Sequence, residues 1–448
     1  MKNPKIIRDY FIEFHEILET AITEDIKNLG QRFTNLGRYD LSRPFLNYLW
    51  YRRLHYRDTY NILRSNGFSP KAAIKNVRLN KKIKNHNVCA GPNVIPLECH
   101  PWRETLLPFE GFPVFFCVGQ RNLEYLRPVI MSFHEKAVVW TDADCNNEPW
   151  VCDNKFVLPY TLSKFSCFAN NLMEANVPDF HVFASTIFTT LNLLKPSKLI
   201  CNDGCQTQYM IAAEYCRDAN IPSICIQQGW PSFLHQGFRN WPYSDFISWG
   251  SGFSSLLKMK NRKTNFIAGG YPYEINSMPL DLRFGIGFFL QDKILLASER
   301  TIEIMSQAIH LSAMMYPDAI IYVRRHPLCR MNDDTQFTNL PNVVNADEMP
   351  LAVLYSKCKV AVSHFSSCIM ESAIHLCVPI VLDPTWDSHY CPDIETEDIG
   401  FVCSDIESFK HILPMAFQKK QDEINKKWCE QKNKKALQNI CSIISNIN

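Results

Sequence analysis

The sequence predicts an α/β protein with two doubly wound parallel-sheet domains facing a cleft, preceded by a helical extension. Three observations lead there. Short apolar strands alternate with helical patterns from Phe112 onward. Those strands are almost free of charge, which implies burial on both faces of a helix-covered parallel sheet. The alternation also runs in two blocks, separated by a stretch that holds half of the chain's 16 glycines.

Residues 1–85 read as helical. Ile6, Tyr10, Phe11, Phe14 and Ile17 recur at helical spacing, and a second segment runs from Pro44 to Leu63. That second segment mixes aromatics with Arg52, Arg53 and Arg57. The favoured reading is a helix packed on its own domain with solvated arginines; the competing one is a basic helix lying on an anionic membrane surface. The lysine-rich stretch Lys71–Lys84 carries the same two readings.

In the first block, Phe112–Val118 and Ala137–Thr141 are strands around a helix at Leu123–Phe133. A helix near Val182–Leu194 leads to strand Lys198–Cys201, and helix Thr207–Asn220 leads to strand Ser223–Gln227. The stretch 229–287 reads as a connecting region. The second block begins near Asp292, with KILLAS (293–298) as its first strand. Helix Thr301–Tyr316, strand Ala319–Arg324, helix Leu351–Ser356, strand Val360–Ser363, helix Ser367–Leu376 and strand Pro379–Leu382 follow. The expected domains are a helical extension at 1–85, a first Rossmann-like domain with the connecting region at 86–285 and a second Rossmann-like domain with the C-terminal helices at 286–448.

Composition narrows the function classes. With 448 residues, 46% of them hydrophobic, the chain can bury two or three cores, and wholesale disorder is excluded. Lysine and arginine number 47 against 45 acids, a net charge of +2, which argues against non-specific nucleic-acid binding. The 18 cysteines are scattered, many sit in apolar runs, and no C-x-x-C occurs; they read as reduced, buried packing residues. The N-terminus is charged and lacks an apolar signal segment, so the expected location is the cytoplasm or the cytoplasmic face of the inner membrane.

Ligands in parallel α/β sheets bind beyond the carboxyl ends of strands, so residues there carry the chemistry. Arg324, Arg325 and His326 end one strand, and Pro327 keeps His326 extended. An imidazole beside two guanidiniums suits a phosphate; a solvated basic strand end is the plain alternative. After the next strand come Ser363, His364, Ser366 and Ser367, then a helix with Glu371. Serines there cap free amides, and the same helix start attracts anions. Glu371 lies four residues after Ser367, one too many for a capping box.

In the first block, Asn202, Asp203 and Gly204 follow a strand. Asp203 is placed as a general base or nucleophile, or simply as a helix cap. Gln227, Gln228 and Gly229 end the next strand.

These residues resemble the core of GT-B glycosyltransferases that build bacterial capsule and lipopolysaccharide. The matching pieces are Asn202-Asp203-Gly204, Asn220-Ile221-Pro222, Gln227-Gln228-Gly229 with glutamine for the usual histidine, Asp245 through Trp249-Gly250, and Gly269-Gly270-Tyr271-Pro272. Arg325-His326-Pro327 resembles the H-P motif, and Ser363 to Glu371 the serine pair with its downstream glutamate. The likeness covers about residues 112–400.

The resemblance implies a cytidine-activated donor: CMP-Kdo, another CMP-linked nonulosonic acid, or CDP-glycerol. It implies His326 on the donor phosphate, Ser366 and Ser367 on phosphate or nucleotide, Glu371 on ribose or cytosine, and Asp203 as base or nucleophile. Metal and cofactor are not required. The partners it implies are a nucleotide-sugar donor and a glycan or glycolipid acceptor, not nucleic acid. Residues 1–85 are the expected contact to the inner membrane or an assembly complex.

Three readings compete. Asp142 and Asp144 form a D-x-D that binds Mn²⁺ and a nucleotide sugar in GT-A transferases, though the motif arises often by chance. A sugar-nucleotide 2-epimerase shares the two-domain fold. A non-catalytic scaffold of a polysaccharide-assembly complex is the third, with Gln228 as the hint of lost function. His364, His375 and His389 match no metal-ligand spacing.

Overall fold

The computed structural model describes residues 14, 16, 18–24, 26–27, 35–53, 103–145, 154–159, 177–229, 236–276, 278–291, 299–326, 339–364, 366–382, 393–421 and 423–447. They divide into two compact units. The N-terminal unit draws on 14–228, 233–273 and 430–448; the C-terminal unit draws on 274–429 and includes Gly229.

The N-terminal unit begins with a small antiparallel hairpin, β1 (Asn35–Leu36) and β2 (Tyr39–Asp40), then helix α1 (Ser42–Arg53). Its sheet has seven parallel strands: β3 (Val114–Cys117), β4 (Ala137–Thr141), β5 (Lys155–Pro159), β6 (Leu199–Asn202), β7 (Ser223–Ile226), β8 (Asp245–Ser248) and β9 (Asn265–Ala268). The spatial order is β5-β4-β3-β6-β7-β8-β9, so strand order reverses between β3 and β6. The covering helices are α2 (Gln120–Ser132), α3 (Val177–Leu194), α4 (Thr207–Asp218) and α5 (Ser251–Lys258). Strands β3, β4, β6, β7 and β8 are buried along their whole length, and all but β8, which begins with Asp245, are uncharged as such burial requires.

The C-terminal unit carries six parallel strands: β10 (Gly285–Leu290), β11 (Ile321–Arg325), β12 (Val343–Asn345), β13 (Cys358–Ser363), β14 (Val378–Leu382) and β15 (Phe401–Cys403). Their order is β12-β11-β10-β13-β14-β15, with the reversal between β10 and β13. Helices α6 (Glu299–Met315), α7 (Leu351–Lys357), α8 (Cys368–Ile374) and α9 (Ile406–Gln418) belong to this unit. Its core joins Phe288, Val323, Val362 and Ile380 of the strands to Ile309 of α6 and Phe409 and Leu413 of α9.

Three sequence expectations need correction. The glycine-rich stretch is no mere connector, since it supplies β8, β9 and α5 of the first unit and the start of β10. Its glycines serve close packing: a Cβ on Gly269 would lie 2.4 Å from Ile247 and 2.9 Å from Ile440. The second sheet's first strand in the chain is therefore β10, while KILLAS lies outside the described residues.

The domain limits also shift. The last helix, α10 (Asn433–Asn446), belongs to the N-terminal unit, where Ile440, Cys441 and Ile444 join a core with Leu126, Val129 and Ile130 of α2. Buried Lys198 fixes the end of α10, its ammonium donating to the carbonyls of Ile444 at 2.8 Å and Ile447 at 2.9 Å. A cation there satisfies the last free carbonyls and the negative helix end together.

Finally, the described part of 1–85 is built into the N-terminal unit. Phe45, Tyr48, Leu49 and Trp50 of α1 are buried, and Phe45 packs on Phe180 of α3 at 4.9 Å. The aromatic side of α1 is thus covered by the protein itself. The side chains of Arg52 and Arg53, and all of Arg57 and Lys71–Lys84, lie outside the described residues. Among the described residues no helix is long and apolar enough to cross a membrane.

Candidate functional site

In the N-terminal unit the strand reversal between β3 and β6 brings the turns after Cys117 and Asn202 side by side. Parallel α/β sheets hold ligands at such a point. After β3, Gly119 adopts a φ of +80° and its amide donates to Asp142 Oδ1 at 2.6 Å. The Val118 amide donates to the Tyr209 hydroxyl at 2.7 Å. Asp142, the first carboxylate of the D-x-D, is thereby engaged in shaping this turn, and Asp144 is exposed.

After β6, Asp203 and Gly204 both take left-handed backbone, φ +70° and +80°. A non-glycine residue there is strained unless its surroundings hold it. They do. The Gly204 carbonyl accepts from the Tyr243 hydroxyl at 3.1 Å, and the Cys205 carbonyl accepts from Asn47 Nδ2 of α1 at 2.8 Å. A Cβ on Gly204 would come within 3.0 Å of the Trp241 ring, and one on Gly237 within 2.6 Å of Cys205 Cβ. Both glycines let neighbours clamp the turn. The Asp203 carboxylate stays half-buried, with Cys205 Sγ 3.0 Å from its Oδ2.

The two glutamines after β7 differ in what they hold. Gln227 Oε1 accepts from the Trp249 amide at 2.8 Å, and the Gln227 carbonyl accepts from the Trp249 indole at 3.1 Å. Gln228 Oε1 accepts from Asn202 Nδ2 at 2.6 Å. Gly229, which groups with the C-terminal unit, lies against Ser367: a Cβ added at Gly229 would be 3.0 Å from Ser367 Cβ.

In the C-terminal unit the reversal point lies between β10 and β13. The His326 amide donates to the Leu290 carbonyl at 3.0 Å, tying the residue after β11 to the end of β10. The expected arginine cradle is organised differently. Arg324 Nη1 donates to the Ala346 carbonyl at 3.1 Å and to the Met349 carbonyl. Asp347 accepts from the Arg325 amide and from its Nε, each at 2.7 Å, and pairs with its guanidinium. A carboxylate only 5% exposed therefore matches the Arg325 charge, and both arginines shape the strand end that presents His326. Asp347 lies 22 residues beyond Arg325, and nothing local in the sequence announces the pair.

After β13, the Ser363 hydroxyl is buried and donates to the Phe289 carbonyl at 2.7 Å, a tie between strands. Ser366 Oγ accepts from the Cys368 amide at 3.2 Å. Ser366, not Ser367, thus serves the free amides of α8, and the Ser367 side chain makes no capping bond. Glu371 is buried within α8. Burial and then the Glu371 charge push the Cys368 thiol up to about 11. His364 and His375 are buried, His389 lies outside the described residues, and no metal-holding group of three His, Cys, Asp or Glu occurs among the described residues.

Beyond the expected residues the structure adds Asn122. Its Nδ2 donates to the Val118 carbonyl at 2.6 Å, and its Oδ1 faces Asn202 Nδ2 at 3.5 Å. An asparagine in the first turn of a helix after a strand–glycine turn is the only sequence signal for it.

No family model matches the chain, and no curated protein matches its sequence. Solved structures do match in fold. The UDP-GlcNAc 2-epimerase from Neisseria meningitidis bound to UDP-GlcNAc aligns with a TM-score of 0.52 at 14% identity, covering 75% of this chain and 100% of that one. The Methanocaldococcus jannaschii UDP-GlcNAc 2-epimerase, in complex with UDP-GlcNAc and UDP, aligns at 0.51 and 10%, covering 74% and 99%. The Rickettsia bellii UDP-N-acetylglucosamine 2-epimerase aligns at 0.51 and 11%, covering 75% and 96%. The fold is GT-B. At these identities the likeness is one of architecture.

Proposed function

We propose that this protein is a sugar-nucleotide enzyme, and within that class a glycosyltransferase that uses a cytidine-activated donor. The observation that carries the reading is Asp203, a half-buried carboxylate held on a strained turn at the strand-reversal point of the N-terminal sheet. In the transfer step an acceptor hydroxyl oxygen attacks the anomeric carbon of the donor. The bond from that carbon to the phosphate oxygen breaks, the nucleotide phosphate leaves with the electron pair, and Asp203 takes the hydroxyl proton. His326, with Ser366 and Ser367, contacts the departing phosphate, and Glu371 the ribose or cytosine. Arg324 and Arg325 act by holding the strand end on which His326 stands. Kdo or another nonulosonic acid is the proposed sugar, and a capsule or lipopolysaccharide glycan the acceptor.

A second reading, 2-epimerisation of a sugar nucleotide, is favoured by the epimerase structures this chain resembles. A donor-only assay separates the two. Incubation of the full chain with CMP-sugar and with UDP-GlcNAc, without acceptor, is expected to return the sugar unchanged at C2. An epimerised product would replace transfer with epimerisation.

A further inference from the structure

The N-terminal site contains a row of three carboxamides whose direction is set by the backbone. Asn122 Nδ2 donates to the Val118 carbonyl at 2.6 Å, which accepts only, so the Asn122 oxygen must turn toward Asn202. Asn202 Nδ2 lies 3.4 Å from the Asn122 carbonyl, 3.5 Å from that oxygen and 2.6 Å from Gln228 Oε1, so its NH2 group donates to both neighbours. Gln228 then has its oxygen inward and its NH2 group turned away from Asn202. That NH2 makes no hydrogen bond to any described residue. Asn122, Asn202 and Gln228 are 6%, 1% and 6% exposed, so packing holds the row in place. The neighbouring Gln227 is used entirely differently, bracing Trp249.

From this arrangement we infer that Gln228 is a fixed, uncharged hydrogen-bond donor to a neutral sugar hydroxyl, and that Asn202 is the residue that positions it. The ligand class follows from the charges nearby. Asp203 directly follows Asn202, and Asp142 accepts from the Gly119 amide in the turn that precedes Asn122, so a phosphate or carboxylate is disfavoured there, whereas a hydroxyl oxygen accepts from the amide without a charge penalty. The inference deepens the proposed function, because it assigns the N-terminal site to the carbohydrate part of the reaction. It does not depend on which nucleotide the C-terminal unit takes.

The test is saturation-transfer difference NMR on the full chain with glucose, galactose and N-acetylglucosamine, and separately with inorganic phosphate by chemical-shift titration. At least one sugar is expected to bind and phosphate to leave the N-terminal site unaffected. Gln228→Glu is the decisive variant, since an ionised carboxylate cannot donate while a protonated one can. Sugar binding should weaken about five- to tenfold at pH 7.5 and recover toward wild type near pH 4.5. Asn202→Asp should weaken sugar binding at pH 7.5 as well, with less effect than Gln228→Glu. A variant damaged merely in its fold would show no such recovery with pH. Binding of none of the sugars, binding of phosphate instead, or a pH-independent loss in Gln228→Glu would overturn the inference. Failure of every nucleotide to bind, with sugar binding intact, would count against the proposed function alone.

Discussion

Asn202 Nδ2 donates to Gln228 Oε1 at 2.6 Å, joining the ends of β6 and β7 through two side chains that are almost wholly buried. The contact separates two adjacent glutamines that look equivalent in the sequence. Gln227 faces Trp249 and ties β7 to β8, whereas Gln228 faces the turn that carries Asp203.

That separation predicts opposite outcomes for the two positions. Gln227→Ala leaves the buried Trp249 amide and indole without acceptors, a loss of about 1–3 kcal/mol. Its melting temperature should fall by several degrees. Gln228→Ala takes the short acceptor from one buried amide, Asn202 Nδ2, which keeps the Asn122 carbonyl at 3.4 Å, so melting should fall less than in Gln227→Ala while ligand binding changes. Equal effects on melting would refute the division of roles.

Asp203→Asn keeps a side chain that tolerates left-handed backbone, and it removes the carboxylate. The variant should fold normally and lose about 10²–10⁴-fold in turnover. Steady-state kinetics together with a melting curve checks both halves. Retained turnover would take Asp203 out of the chemistry.

Glu214 on α4 sets a pH dependence of stability. Burial pushes its carboxyl up to about 7; the nearby Arg217 opposes the shift and Asp40 adds to it. The folded protein therefore keeps this proton to about pH 7, while an unfolded chain releases it near 4.5. Stability from this group is complete below pH 4.5 and is lost as pH rises through 7. The loss of melting temperature between pH 5 and pH 8 should shrink in Glu214→Gln. An unchanged profile would contradict the assignment.

Of the twelve described cysteines eleven are buried, and none is in a disulfide. Burial raises their thiols, Cys377 and Cys403 to about 12 and Cys441 to about 11. Iodoacetamide at pH 8 should leave these three unmodified in the native protein and modify them after unfolding, as peptide mass spectrometry would show. Rapid native alkylation of Cys377 would be inconsistent with the packing.

The strand–helix alternation was legible because buried parallel strands are uncharged and their helices carry a different period. Val114–Cys117 and Ala137–Thr141 are examples, and Asp203 and His326 could be placed at strand ends from sequence alone. What was hidden arises from contacts distant in the chain. The return of α10 to the N-terminal unit depends on Ile440 meeting Gly269, and the neutralisation of Arg325 depends on Asp347. Glycines at 269, 285 and 287 looked like punctuation, yet they lie where neighbouring side chains press against the backbone. The capping role at α8 falls to Ser366 although the sequence offered two adjacent serines.

The most direct test of the central claim is a thermal-shift titration of the full chain with CMP, CDP, UDP and GDP, repeated with His326→Ala. A ligand that binds the folded state raises the melting temperature with its occupancy. The account predicts selective stabilisation by CMP or CDP, and a much smaller shift in the variant. Stabilisation by UDP alone would contradict the cytidine assignment, and an undiminished shift in His326→Ala would remove His326 from the nucleotide site.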